Sequence, residues 1–555
     1  MKTNQFQLKI LLNCFLLMLF LSIISCSKDN TDGDTSNDPN SEQGELDESA
    51  GIDPNEIREY QGDLGVLVDV RNLRKKGYDP KVVAIDFGAT EGDYDTELSV
   101  DEFTDIARFS VSREDLSDAA ERELTDGVSV SITVKEDTNA IILEDSWSVI
   151  SFTENGTTLY PNDSGLGYKK EAISFRAGMP HFLQIVDANG NYSDLVVEKP
   201  PAAGASSVTL IEDRSLFRNS WTDHQYYFVK IANEENTYAI YNRQANSYLV
   251  LGTTDRLFNQ SGTFTYPTDA NTLEDNYKFI VKREDNGLYT INDGRDGNPL
   301  RRIPGSPVRW HTHPDGEIQY FRIVALNLNW DIQSLSTESL EPILPGVDTK
   351  VGFNSTLVNC TDGTLEQVVG VDEEITTSRT VGWEESLSIS SRETFSASLT
   401  VGVETQASFF GGSATASAEV TASYEYSQDV TSSQRQFEEQ TEEKTDILQF
   451  ERKVIVPGKS ATLTYDAYQN YSNVIQPFVQ RVRIFASEID PSNNNIELGN
   501  LSGSEIATQL RITNFQGVIS EVGSDFVVVN MRGFTKLNNL VETETVLTDA
   551  KANCD

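Results

Sequence analysis

Apolar residues fall at every second position through much of this chain, and the alternation is strictest between 395 and 426. Ascending, Phe395, Ala397, Leu399, Val401, Val403, Ala407 and Phe409 alternate with Ser396, Ser398, Thr400, Gly402, Glu404, Gln406 and Ser408. After Gly411-Gly412 the parity inverts, so that Ala414, Ala416, Ala418, Val420, Ala422, Tyr424 and Tyr426 carry the apolar side. A two-residue Gly-Gly turn needs that inversion if one face is to stay continuous. Placing Phe410 opposite Ser413 sets Val403 against Val420, Val401 against Ala422 and Leu399 against Tyr424, with Glu404 against Glu419 on the polar face. From Ser386 to Ser433, 19 of 48 residues are Ser or Thr, which is too polar for a core strand pair. Each arm exceeds the roughly 9–11 residues of a transmembrane strand. The pattern therefore predicts a membrane-inserting hairpin about 386–433. Its tip is Phe409, Phe410, Gly411 and Gly412. Leu399, Val401, Val403, Val420, Ala422 and Tyr424 face lipid, and Glu404 and Glu419 line a pore lumen. A single hairpin cannot close a barrel, so a homo-oligomer is expected.

The rest also reads as strands, and the fold class expected is all-β and multidomain. Residues 61–200 hold runs such as Val128-Ser129-Val130-Ser131-Ile132-Thr133-Val134, separated by Asp126-Gly127, Asn155-Gly156 and Asn189-Gly190. An Ig-like β-sandwich is expected there, with one short helix within Arg113–Leu124. Residues 206–346 carry a threefold repeat. Tyr227-Phe228-Val229, Lys278-Phe279-Ile280 and Tyr320-Phe321-Arg322 are each followed by a second strand, at Tyr238-Ala239-Ile240, Tyr289-Thr290-Ile291 and Trp330-Asp331-Ile332. This repeat resembles a ricin-B-type β-trefoil lacking the Gln-x-Trp signature, and the alternative is an irregular β domain. Trp310, His311, His313 and Trp330 are its candidate glycan-binding residues. His311 and His313 would share a strand face, but no third ligand is recognisable nearby, and no metal is expected.

Composition narrows the partners. With 86 acidic against 44 basic residues the formal charge is −42, so a nucleic-acid partner is not expected. Residues 1–25 run from Lys2 and Lys9 into an apolar stretch and read as a signal peptide. Ile23-Ile24-Ser25-Cys26 resembles a bacterial lipobox, which implies a lipid anchor on Cys26. Ser27-Lys28-Asp29-Asn30 is similar to the acidic export signals of surface lipoproteins in some Gram-negative bacteria. The expected location is the outer membrane, at the cell surface, with vesicles or proteolysis as routes of release. Residues 26–60, rich in Asp, Asn, Ser and Glu, read as an acidic tether. Setting aside Cys14 and Cys26 leaves Cys360 and Cys554, a disulfide in an exported protein, with two separate thiols as the alternative.

Gly-x-Ser-x-Gly, His-Glu-x-x-His and Cys-x-x-Cys are absent, and Gly458-Lys459-Ser460 lacks the upstream glycine of a phosphate loop, where Lys453 stands. No enzyme and no cofactor are expected. The Ser/Thr-rich hairpin, followed by Phe450-Glu451-Arg452-Lys453-Val454-Ile455-Val456-Pro457-Gly458, resembles the aerolysin superfamily of β-pore-forming toxins over about 350–555. The resemblance implies an elongated β module with an amphipathic prestem hairpin. It also implies a target-cell membrane as partner, with a glycan or glycoprotein receptor. The alternative is a non-lytic surface lipoprotein or adhesin that binds glycans through the trefoil.

Overall fold

The computed structural model describes residues 63–137, 140–153, 156–198, 209–211, 224–252, 257–259, 270–302, 310–325, 327–340, 347–385, 387, 395–405, 416–426, 440–471, 474–490, 493–538, 540–550 and 554. Cys26 and the hairpin tip Phe409–Gly412 lie outside these residues. The described chain is nearly all β and forms three bodies.

The first body packs two sheets across one core. Leu64–Asp69 pairs antiparallel with Ile106–Val111 and parallel with Thr157–Leu159. The facing sheet runs Thr96–Ser99, Val82–Phe87, Val128–Lys135, Ile141–Ile150. Period-two patterning explains the packing: Val128, Val130, Ile132 and Val134 point inward while Ser129 and Ser131 face out. They meet Leu64, Val66 and Val68 from the other sheet. Burial of each such aliphatic side chain stabilises by about 1.5–3 kcal/mol. The helix Asp118–Asp126 is capped by the Ser117 hydroxyl, which accepts from Ala120 N, and it buries Leu124 against the sandwich.

The second body begins earlier than the repeat suggests. Tyr226–Lys230 pairs with Thr237–Asn242, that strand with Lys278–Arg283, then Tyr289–Asp293, Tyr320–Val324 and Phe182–Val186. His181 and Tyr226 then exchange backbone hydrogen bonds of 2.8 and 2.9 Å, which closes a six-stranded ring. Two expectations are corrected here. The first domain's strands end at Leu159, because Phe182–Val186 and Tyr192–Glu198 belong to this barrel. The partner of Tyr320–Val324 is Phe182–Val186, whereas Leu328–Ser339, with Trp330, leaves for the third body. Leu183 and Ile185 bury beside Phe321 and Ile323, and only that shared core tells the two partners apart.

The third body carries the long strands. Its main sheet runs Leu328–Ser339, Val474–Asp490, Val527–Asn538, Leu365–Trp383, Gln440–Val456. The 19 residues of Leu365–Trp383 span roughly 65 Å at about 3.4 Å per residue. A second sheet sets Ser460–Tyr471 between Val347–Asn359 and Leu540–Ala550. The helix Gly503–Ile512 starts with a capping box between Ser502 and Glu505 and packs Ile506 and Leu510 on this body's core. It also reaches the barrel: Ile512 joins the barrel core, and Ser174 N donates to the Thr508 hydroxyl at 2.8 Å.

Cys360 and Cys554 are bonded, with Cα atoms 5.3 Å apart, across 194 positions of chain. They tie the ends of the two outer strands of the three-stranded sheet. The Pro457-Gly458-Lys459 turn sits against the same end. Lys459 N donates to Thr361 O, and Asn359 Nδ2 to Val456 O, both at 2.9 Å. A Cβ on Gly458 would lie 2.7 Å from Asp362 O, so only glycine allows this approach.

Candidate functional site: the hairpin and its base

Phe395–Thr405 and Ala416–Tyr426 pair antiparallel over their whole length, and Phe395–Thr405 lies beside Leu328–Ser339. Phe395 faces Tyr426, Leu399 faces Ala422, Val401 faces Val420, and Val403 faces Ala418. This corrects the register read from the Gly-Gly pair by two residues. Glu404 faces Ser417 and Glu419 faces Gly402, so the two carboxylate positions are staggered rather than directly opposed. A slip of two leaves every residue on its own face, whereas a slip of one would invert them all. Period-two patterning therefore assigns the faces and leaves this freedom open. Leu399, Val401, Val403, Val420, Ala422 and Tyr424 still share one face, and Glu404 and Glu419 share the other.

The register connects to the body. Leu365–Trp383 leads into the hairpin and Gln440–Val456 leads out, paired from Leu365–Val456 to Val381–Gln440. Between Val381–Gln440 and Phe395–Tyr426 the intervening segments, 382–394 and 427–439, are equal in length. The two ladders thus share one register.

At the base of the ascending arm the chain is fastened. Trp383 and Leu387 are buried in the third body's core, and Trp383 meets Phe478 edge-on at 5.4 Å. Between them, Glu385 is buried against the first body. It accepts from Arg71 Nε at 2.8 Å and Nη2 at 2.6 Å, from Lys75 Nζ at 2.6 Å, and from Arg532 N at 2.9 Å. Arg71 also donates to Asp105 at 2.8 Å and to Asn530 O at 2.7 Å. Arg532 answers from the third body by donating to Asp69, and to Thr104 O at 2.8 Å. Burial pushes the Glu385 carboxyl up, but the bidentate Arg71 contact and Lys75 outweigh it and hold the group at about 2. Asp105 goes the other way, to about 6, because burial outweighs Arg71 and Arg74. This clamp is invisible to motif reading, since an acidic pair such as Glu384-Glu385 is commonplace in so acidic a chain.

The glycan candidates are not brought together. Trp310 is 2% exposed and packs edge-on against Phe321 within the barrel, and Trp330 is 3% exposed in the third body's core. Neither ring offers a face to a sugar. His311 is buried, its Nδ1 accepting from His313 N at 3.0 Å, and only His313 reaches solvent, beside Asp315. Among the described residues no group of three or more His, Cys, Asp or Glu is placed to hold a metal, and no helix is long and apolar enough to cross a membrane.

Fold and hairpin define a multidomain, nearly all-β chain with an amphipathic strand pair on a long-stranded body. No family model matches it, and no curated protein matches its sequence. Solved structures with partial similarity include the Cry23Aa1–Cry37Aa1 binary protein complex, at 14% identity over 40% of this chain and 89% of that one, TM-score 0.22. A non-toxic crystal protein from Bacillus thuringiensis matches at 12% identity over 40% and 86%, TM-score 0.22. The designed three-fold symmetric protein ThreeFoil matches at 14% over 26% and 99%, TM-score 0.20.

Proposed function

We propose that this chain is a pore-forming protein: it docks on a target membrane, oligomerises, and contributes the 395–426 hairpin to a transmembrane β-barrel. One observation carries the reading. The amphipathic hairpin continues the register of the Leu365–Trp383 and Gln440–Val456 ribbon, with equal segments between them on both arms. Zippering those segments would extend the ribbon with no change of pairing, and closure between copies would satisfy every exposed strand edge. Each described arm is 11 residues, the length a tilted strand needs to cross lipid. The polar face holds Glu404, Glu419 and Glu425 and no Lys or Arg, so the lumen is anionic. Lipidation of Cys26 holds the chain at the producing cell's outer surface until release. A receptor glycan, if used, binds elsewhere than Trp310 and Trp330.

The test is purified protein added to dye-loaded liposomes and erythrocytes, with SDS-resistant oligomers scored in parallel. Dye release with oligomers supports the pore. Binding to cells without release in either system refutes it and favours the adhesin.

A further inference from the structure

A cavity of about 420 Å³ opens where the three bodies meet. Seven of its lining side chains are basic and three acidic, in a chain where acids outnumber bases 86 to 44. The walls come from the end of the Arg71–Lys75 helix, the segment at 168–171, the barrel strand Lys278–Arg283, and the chain after the Gly503–Ile512 helix. Some of these cations are spent. Lys76 is satisfied by Asp163 and the Leu166 carbonyl, and Arg74 by Asp79 and the Pro80 carbonyl, while its Nε lies 3.2 Å from Asp105 without hydrogen-bonding it.

Others keep donors in reserve. Arg511 holds Glu171 through Nε alone, at 2.7 Å, so among the described residues its two terminal nitrogens have no acceptor. Arg283 gives Nε to Gly287 O and Nη1 to Glu171, lies 3.8 Å from the Tyr168 ring centroid, and leaves Nη2 unused. Lys75 spends one donor on Glu385. Lys169 and Lys170 line the cavity, and their carboxylate partners, Glu136 and Glu235, do not. Domain-joining ion pairs alone would not need seven basic against three acidic side chains around one space. Guanidinium forks beside ammonium groups match the tetrahedral oxygens of phosphate or sulfate.

We propose that this junction is a binding site for a compact polyanion, a phosphorylated or sulfated small molecule or head group, gripped by Arg511, Arg283, Lys75, Lys169 and Lys170. Because the grip comes from all three bodies, the ligand binds only while they are docked, and it stabilises that arrangement by mass action. The site stands whether or not the hairpin forms a pore.

Calorimetric titration of the full chain at fixed ionic strength tests it, with pyrophosphate, a sulfated disaccharide, and phosphatidic-acid vesicles as probes. One saturable site is expected, with a matching rise in thermal midpoint. Binding of the soluble anions identifies a free ligand, and binding of the vesicles alone identifies a lipid head group. Arg511→Gln and Arg283→Gln should each weaken binding about tenfold. Lys169→Gln combined with Lys170→Gln, on exposed side chains that folding does not require, should also weaken it. Lys282→Gln, on the same barrel strand but outside the cavity, should not. Absence of saturable binding to all three probes overturns the proposal. So does binding that survives the Lys169, Lys170 pair, or that Lys282→Gln weakens equally.

Discussion

Replacing Glu385 by Gln probes the fastening between the first body and the base of the hairpin. Gln keeps the shape and one acceptor oxygen but removes the charge that Arg71 and Lys75 enclose. The carboxyl sits at about 2 in the fold against an ordinary 4.5. At about 1.4 kcal/mol per unit that is about 3 kcal/mol of stabilisation, the low end of the cost of removing one partner from a buried ion pair. The sign follows from the lowered value. The contribution is complete above the ordinary carboxyl range and is lost as pH falls from 4.5 towards 2. Asp105, raised to about 6, acts oppositely, its charged form costing stability as pH rises to that value. Because Arg71 serves both carboxylates, the pH dependence of the difference between the two proteins also carries an Asp105 contribution. Hydrogen exchange read by mass spectrometry on peptides covering 376–387 should accelerate about a hundredfold in Glu385→Gln at pH 7. Peptides from the barrel strands Lys278–Arg283 and Tyr289–Asp293 should be unchanged. In denaturant titrations the gap between the two proteins should close as pH approaches 2. Less than about 0.5 kcal/mol of difference at pH 7, or a gap independent of pH, would show that Glu385 does not fasten the base.

Double-cysteine variants test the hairpin register: Val401→Cys with Val420→Cys should cross-link readily, and Val403→Cys with Val420→Cys should not, by non-reducing electrophoresis. The Phe409→Ser, Phe410→Ser pair should leave circular dichroism unchanged and abolish liposome leakage. Staggered carboxylate rings in the proposed pore should make it cation-selective, and Glu404→Gln with Glu419→Gln should move the bilayer reversal potential towards zero under a salt gradient. An anion-selective wild-type pore would contradict the lumen assignment. Loss of the Cys360–Cys554 bond in a double Ser variant should destabilise the third body by up to about 5 kcal/mol on the chain-entropy account, read by denaturant midpoint.

Several features needed only local information. Alternation of Val128–Val134 and of 395–426 states strand and face together, because side-chain direction in a strand repeats every two residues wherever the strand lies. Reading Cys14 as signal and Cys26 as anchor leaves Cys360 and Cys554 as a pair or as two separate thiols, and the structure bonds them. Tertiary structure decided the rest, in each case because the choice lay between partners that look alike along the chain. Tyr320–Val324 could have closed on the strand that follows it or the one far before it, and the barrel core chose Phe182–Val186. Trp310 and Trp330 are aromatic residues fit for a sugar or a core, and packing placed both inside. The hairpin could slip by two without exposing an apolar residue, so its register followed the ribbon below and not the glycines above. Glu385 is one acid among many in sequence, and becomes distinctive only where folding buries it against Arg71, 314 residues away.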